Sequence, residues 1–446
     1  MKLFSLRLMT LKSKLYAIVF ASFVVRVVAF FALPNVSSNF GSDEGTYAAA
    51  AQWTSLGKSA LDFPAYSAGL YVSGRSFLLP AALVNKIGFS PLDSVRFTSS
   101  LYAFLLVCIL VMIILSSYQK YPNFKDFIEK KPKIFYGLFL LFTYLPSHFA
   151  WSVLGLREST VEFWIVVLFC FIHFNFLSPH KIMKRVALAY PVLIVMVFSA
   201  RPQVGWVLSI SLFVYFLAVS KKSGKKLILL LTVIGTLLGS ATTIVLPEKA
   251  TLTDTNQVKN ESNQVKNESK STLKILLKNP TNIIYEQVNN LQSHHELSKF
   301  QAMSAIYQPD CPVASDSRFG QYFCLIYRAP FTTVTFLFRP MLGADITSAS
   351  SLFAAIENIF WLAAFLFIAI MFIRNKRLAF FGALAPSLMF ASLYSLGAGA
   401  YEGNMGTAFR HKSLILWVVL LLIASTIVAT QQRKAEREGI SGSSQE

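Results

Sequence analysis

The chain has 446 residues, of which 54% are hydrophobic and only 14% charged, with a formal net charge of +19. A soluble protein carries roughly 25% charged residues, so water cannot be the solvent for most of this chain. A basic balance of this size would suggest nucleic acid in a soluble protein; here it calls for no nucleic-acid partner, and the placement of the charge carries the information.

From the N-terminus, a basic leader with Lys2, Arg7, Lys12 and Lys14 precedes an apolar run, Leu15 to Leu33. A secretory signal peptide is disfavoured, because Arg26 interrupts the run, no small-residue cleavage site follows cleanly, and later segments are equally apolar. Spans are expected near 15–33, 96–117, 134–154, 160–177, 186–202, 203–219, 227–247, 352–373, 378–396 and 413–430. Each is close to the length that crosses a hydrocarbon core of roughly 30 Å as a helix, the form that satisfies backbone groups in lipid. The expected fold class is therefore all-α, a polytopic membrane helix bundle of about ten spans.

With the N-terminus inside, the leader, 118–133, 178–185, 221–226, 374–377 and the tail after 430 are cytoplasmic and hold 22 of the 41 Lys and Arg residues. The positive-inside rule is thus met at every inner turn, and both termini are expected in the cytoplasm. The expected location is the plasma or inner membrane, crossed many times, with the polar working surface outside. Three regions follow: an N-terminal transmembrane catalytic module, 1–247, with a first outer loop at 34–93; an extracytoplasmic region, 248–351; and a C-terminal transmembrane module with its cytoplasmic tail, 352–446.

The first outer loop contains a semi-apolar piece, Ser76 to Phe89, with Pro80 inside, too short to span and so expected as an interfacial helix. The second outer region is a large loop before the last three spans. It opens with a duplicated heptapeptide, Asn256 to Ser262 and Asn263 to Ser269, that resembles a polar linker. It also holds Cys311 and Cys324, expected either as a disulfide on an oxidising face or as two free thiols. Asn35, Asn260 and Asn267 head Asn-x-Ser sites.

Few ionisable residues lie beside the outer surface. Asp43 and Glu44 precede Gly45, Thr46 and Tyr47, where they either cap a helix or supply a general base. Arg157 and Glu158 sit between the third and fourth spans, with Glu162 one turn on. Arg201 occupies the tight turn after the fifth span, where it binds an anion or snorkels to lipid phosphate. Between the last two spans stand Tyr401, Glu402, Gly403, Asn404, Gly406, Thr407, Arg410 and His411. Arg26 lies within the first span; Glu357 and Asn358, near the start of the eighth, are read as satisfying one another or capping a helix. His148 and His173 have no metal-ligand spacing around them and receive no role. Arginines and acids gathered at one rim from several loops suit an anionic lipid head group, because guanidinium forks grip phosphate and a carboxylate can activate a hydroxyl.

In the order of its elements the chain resembles a GT-C superfamily glycosyltransferase, similar to protein O-mannosyltransferases and the aminoarabinose transferase of lipid A. The elements are Arg26 in the first span, Asp43-Glu44 then Gly-Thr-Tyr, the piece at Ser76 to Phe89, the turn Gly88-Phe89-Ser90 and Arg96 opening the second span. Leu156-Arg157-Glu158, Arg201-Pro202 and the C-terminal Gly-Thr-x-x-Arg-His-Lys extend it more loosely. The resemblance implies an outer-face transfer of a sugar from a polyprenyl-phosphate donor to a glycan, lipid or protein acceptor, among membrane lipids. It makes Asp43 the base, with Glu44 beside it. Arg75, Arg157, Glu158, Arg201, Arg410 and His411 are the substrate-binding candidates. It also places Glu158 where many members carry a second acid that can hold a metal, so a divalent metal is a candidate cofactor, although Arg157-Glu158 replaces their usual Thr-Asp. The competing expectations are an O-antigen or exopolysaccharide polymerase or ligase, and a flippase or transporter of lipid-linked oligosaccharide; a charged path through the spans would favour the last.

Overall fold

The structure, a computed structural model, describes residues 2–32, 44–58, 74–120, 122–172, 189–218, 223–241, 311–312, 318–343, 345–346, 349–375, 385–402 and 405–437. All regular structure among these residues is helical. In chain order the helices are α1 (Lys2–Ala32), α2 (Glu44–Ser55), α3 (Arg75–Lys86), α4 (Pro91–Lys120), α5 (Pro122–Lys130), α6 (Pro132–Tyr144), α7 (Pro146–Val153) and α8 (Glu158–Ile172). They continue with α9 (Ala189–Ala200), α10 (Pro202–Ala218), α11 (Ser223–Ala241), α12 (Arg318–Phe338), α13 (Ala349–Asn375), α14 (Ala385–Tyr401) and α15 (Met405–Arg437).

Helix is present at each of the ten segments read as spans. Five stretches are long and apolar enough to cross a membrane: Met9–Ala32, Pro91–Gln119, Pro132–Val153, Ser351–Ile370 and Gly406–Ile423. Ala189–Ala200, Pro202–Ala218 and Lys226–Ala241 are shorter apolar helices. The side chains are distributed as a bilayer solvent requires. On α1, Tyr16, Phe20, Phe23, Val24, Val28 and Phe31 face outward, whereas Ser22 and Arg26, one turn apart, are buried. A soluble helix would present the opposite pattern.

The chain divides into two compact units. The first comprises Met1–Val245, Pro340–Tyr394 and Phe409–Glu446. Within it α2, α3 and α4 pack on one another, and α4 also packs on α1, α7 and α8. Tyr47, Ala48, Ala51, Phe77, Leu78, Ala81, Val95, Leu154 and Leu156 form the cluster that fixes α2 and α3 against the start of α4. Pro80 lies inside α3 and has no N–H for the carbonyl one turn back, that of Ser76. The Tyr102 hydroxyl donates to that carbonyl instead, at 3.0 Å, and so ties α3 to α4. Farther along the chain, the Phe198 ring of α9 lies against Gly205 of α10 and Gly239 of α11. Small residues of this kind let helices approach in lipid, where the hydrophobic effect no longer drives association.

The third expected span is broken. Leu145 is extended ahead of Pro146, the residue that opens α7. The break exposes first-turn N–H groups inside the bundle, and the Ser147 N–H donates to Glu357 Oε2 at 2.6 Å.

The second unit comprises Leu246–Arg339 and Ser395–Ala408. Cys311 is disulfide-bonded to Cys324 of α12, which settles the alternative left open by the sequence. Phe319, Phe323, Tyr327 and Phe331 follow one another along α12 with ring centroids 6.4, 6.2 and 5.9 Å apart. Gly399 of α14 meets the backbone of Thr332 and Thr333, and a Cβ there would lie 2.9 Å from Thr332 C. The duplicated linker, the Asn-x-Ser sites, His173, Gly403 and Asn404 lie outside the described residues.

Candidate functional site

Glu158 is the first residue of α8, and its buried carboxylate draws cations from three parts of the chain. Arg201 fills the single-residue joint between α9 and α10, where Pro202 opens α10 without needing a donor. Its Nη1 donates to Glu158 Oε1 at 3.3 Å. From the first turns of α15, Arg410 Nε and His411 Nε2 lie 3.2 and 3.8 Å from the same oxygen. Glu158 Oε2 has no hydrogen-bond partner among the described residues. Arg157 is buried beside it with its guanidinium 5.8 Å from the Tyr47 ring centroid.

Burial alone would raise the Glu158 carboxyl. Arg410, Arg201, His411 and Arg157 outweigh that effect and hold it down at about 2. Such a carboxylate is a weak base; its chemistry is to stay ionised and keep the guanidiniums in place. Burial pushes the Tyr47 hydroxyl up, against the pull of Arg157, so it remains a proton donor at neutral pH. Burial likewise lowers the Arg157 guanidinium.

Glu44 is occupied in a different way. Arg96 Nε and Nη2 reach Oε1 and Oε2 at 2.6 and 3.1 Å, and the Gly155 N–H donates to Oε1 at 2.9 Å. These bonds consume the lone pairs a base would use, and they bind α2 to α4 and to the joint before α8. A Cβ on Gly155 would sit 2.5 Å from Val95 Cγ2 and 3.1 Å from the Arg96 N, so only glycine permits this approach.

Of the candidates read from the sequence, Arg157, Glu158, Arg201, Arg410 and His411 come together. Arg75 opens α3, half-buried, and forms no ion pair among the described residues. Asp43 lies outside the described residues. The metal expectation does not fit this donor set. Among the described residues no three His, Cys, Asp or Glu side chains group as ligands, and guanidiniums crowded on one carboxylate oppose a divalent cation while favouring an anion.

Three features were not anticipated. Tyr47 shares a face of α2 with Glu44, a three-residue spacing that could have marked it. His148, given no role, places Nδ1 2.8 Å from Glu162 Oε2, with both side chains buried. Glu357 and Asn358 do not satisfy one another: Glu357 accepts from Ser147 and Trp361, while Asn358 donates to the Pro340 carbonyl and accepts from Lys412 at 2.6 Å.

Comparison with protein-family models, curated proteins and solved structures finds no match to this chain.

Proposed function

We propose that this protein is a membrane-embedded glycosyltransferase of about ten spans. It would move a sugar from a polyprenyl-phosphate carrier to an acceptor hydroxyl on the outer face, with both termini cytoplasmic. The observation that carries this reading is the convergence of Arg157, Arg201, Arg410 and His411 on the single carboxylate of Glu158. When the anomeric bond breaks, charge gathers on the departing phosphate, and guanidiniums already fixed there stabilise it without reorganising. Glu158 orients them. Asp43, at the N-terminal edge of α2, is the base assigned to the acceptor hydroxyl, since Glu44 is engaged by Arg96.

The test is binding of farnesyl phosphate, a short polyprenyl phosphate, to the full chain in lipid nanodiscs, followed by sugar transfer in membranes. Arg201→Ala and Arg410→Ala should each weaken binding by about 10-fold or more, the worth of one charge-assisted contact. Asp43→Asn should bind normally and transfer nothing from radiolabelled polyprenyl-phosphate sugars. Binding that ignores both arginines removes the donor site; full transfer by Asp43→Asn removes the base.

A second reading, translocation of a lipid-linked oligosaccharide, is favoured by the polar groups inside the spans. Arg26, His148, Glu162, Glu357 and Lys412 are all buried there, more than the sequence suggested. Movement of a fluorescent lipid-linked sugar across proteoliposomes without any acceptor would decide for it.

A further inference from the structure

We propose that His148 and Glu162 form a proton-binding site inside the bundle that takes up one proton when a phosphate-bearing lipid occupies the guanidinium site around Glu158. The inference rests on the anion-site reading above and holds for either transfer or translocation.

The geometry of the couple leaves one position open. Nδ1 of His148 is bonded to Oε2 of Glu162, whereas His148 Nε2 and Glu162 Oε1 are buried without a hydrogen-bond partner among the described residues. With the carboxylate accepting from Nδ1, a proton added at Nε2 changes the couple from one negative charge to none and leaves its existing hydrogen bond intact. That proton comes from water, and no covalent bond is made or broken. An imidazole is the side chain suited to make this change near neutral pH.

The position couples it to the anion site. Glu162 is one helical turn beyond Glu158 on α8, on the same face. A phosphate held beside Glu158 adds negative charge one turn from the couple, in a medium that screens poorly, and so favours the protonated form. By linkage, the protonated couple favours the phosphate to the same degree.

The surrounding helices contribute few other charges. Arg26 of α1 interacts electrostatically with both Glu162 and Tyr144 of α6, and is held by Ser22, Ser152 and the Thr143 carbonyl. Glu357 of α13 accepts from the Ser147 N–H and sits beside Lys412 of α15. From α4 come Ser99, Ser100 and Tyr102, and from α9 Tyr190, bonded to Thr232. Glu158, with Arg201, Arg410 and His411, completes the set. A positive Arg26 keeps the unprotonated couple tolerable, so that both states are accessible.

The experiment is calorimetric titration of the full chain in nanodiscs with farnesyl phosphate, in buffers of different ionisation enthalpy. The phosphorus chemical shift of the bound ligand fixes the ligand's own protonation. Wild type should take up a proton beyond the ligand's share, and its affinity should fall by up to about 10-fold per pH unit where the couple deprotonates. His148→Gln, which keeps a donor for Glu162, should still bind but lose that uptake and that slope. No excess proton in wild type, or an unchanged excess in His148→Gln, overturns the inference and leaves the anion site standing. Failure of wild type to bind farnesyl phosphate sinks the anion site and this inference together. Should His148→Gln not fold, the wild-type proton count alone decides.

Discussion

Arg96 grips Glu44 through two parallel bonds, Nε to Oε1 at 2.6 Å and Nη2 to Oε2 at 3.1 Å, with both side chains withdrawn from solvent. The pair closes the gap between α2 and α4 beneath the residues that surround Glu158. Its placement turns an acid of the expected catalytic pair into a structural clamp.

Breaking the clamp from one side strands a buried charge. Arg96→Ala or Glu44→Ala should therefore lower stability by about 3–5 kcal/mol, and Arg96→Lys should not restore it, because an ammonium cannot form the fork. The double variant Glu44→Leu/Arg96→Met should recover much of the loss. Thermal unfolding of the purified protein in detergent, followed by intrinsic tryptophan fluorescence, measures each change.

At Gly155 the limit is space. Gly155→Ala brings a methyl group against Val95 Cγ2 and the Arg96 N, and should cost about 1–3 kcal/mol as overpacking. Val95→Ala in the same chain should return part of it. If Gly155→Ala melts with wild type, the approach of this joint to α4 is looser than described.

Acid should attack the molecule through Glu158. Its carboxyl is depressed to about 2 in the folded state, so its stabilisation is complete above an ordinary carboxyl's range near 4.3 and is lost as pH falls from there through about 2. The contribution is on the order of 3 kcal/mol. Glu158→Gln leaves mutually repelling cations, so it should be less stable at pH 7 and show a flatter profile between pH 4 and 2. Melting curves across that interval read both effects.

The Cys311–Cys324 bond closes a loop of 13 residues, worth about 3 kcal/mol by loop entropy. Non-reducing peptide mapping should find those two joined and Cys108 and Cys170 as thiols. Cys311→Ser/Cys324→Ser should raise protease sensitivity around α12. Equal digestion rates would show that the bond contributes nothing there.

Hydropathy and charge were enough to place helix at every expected span, because lipid demands apolar length and internal backbone bonding of each segment by itself. The same local logic picked out Arg157, Glu158, Arg201, Arg410 and His411, since a charge beside a span has few reasons to exist. It could not say which acid binds which base. Glu44 meets Arg96 across 52 positions, His148 meets Glu162 within the bundle, and Ser147 of the broken span finds Glu357 across 210. Those choices belong to the packing. A buried charge takes the partner that reaches it at hydrogen-bonding distance, and that distance exists only once α4, α7, α8 and α13 have been brought side by side.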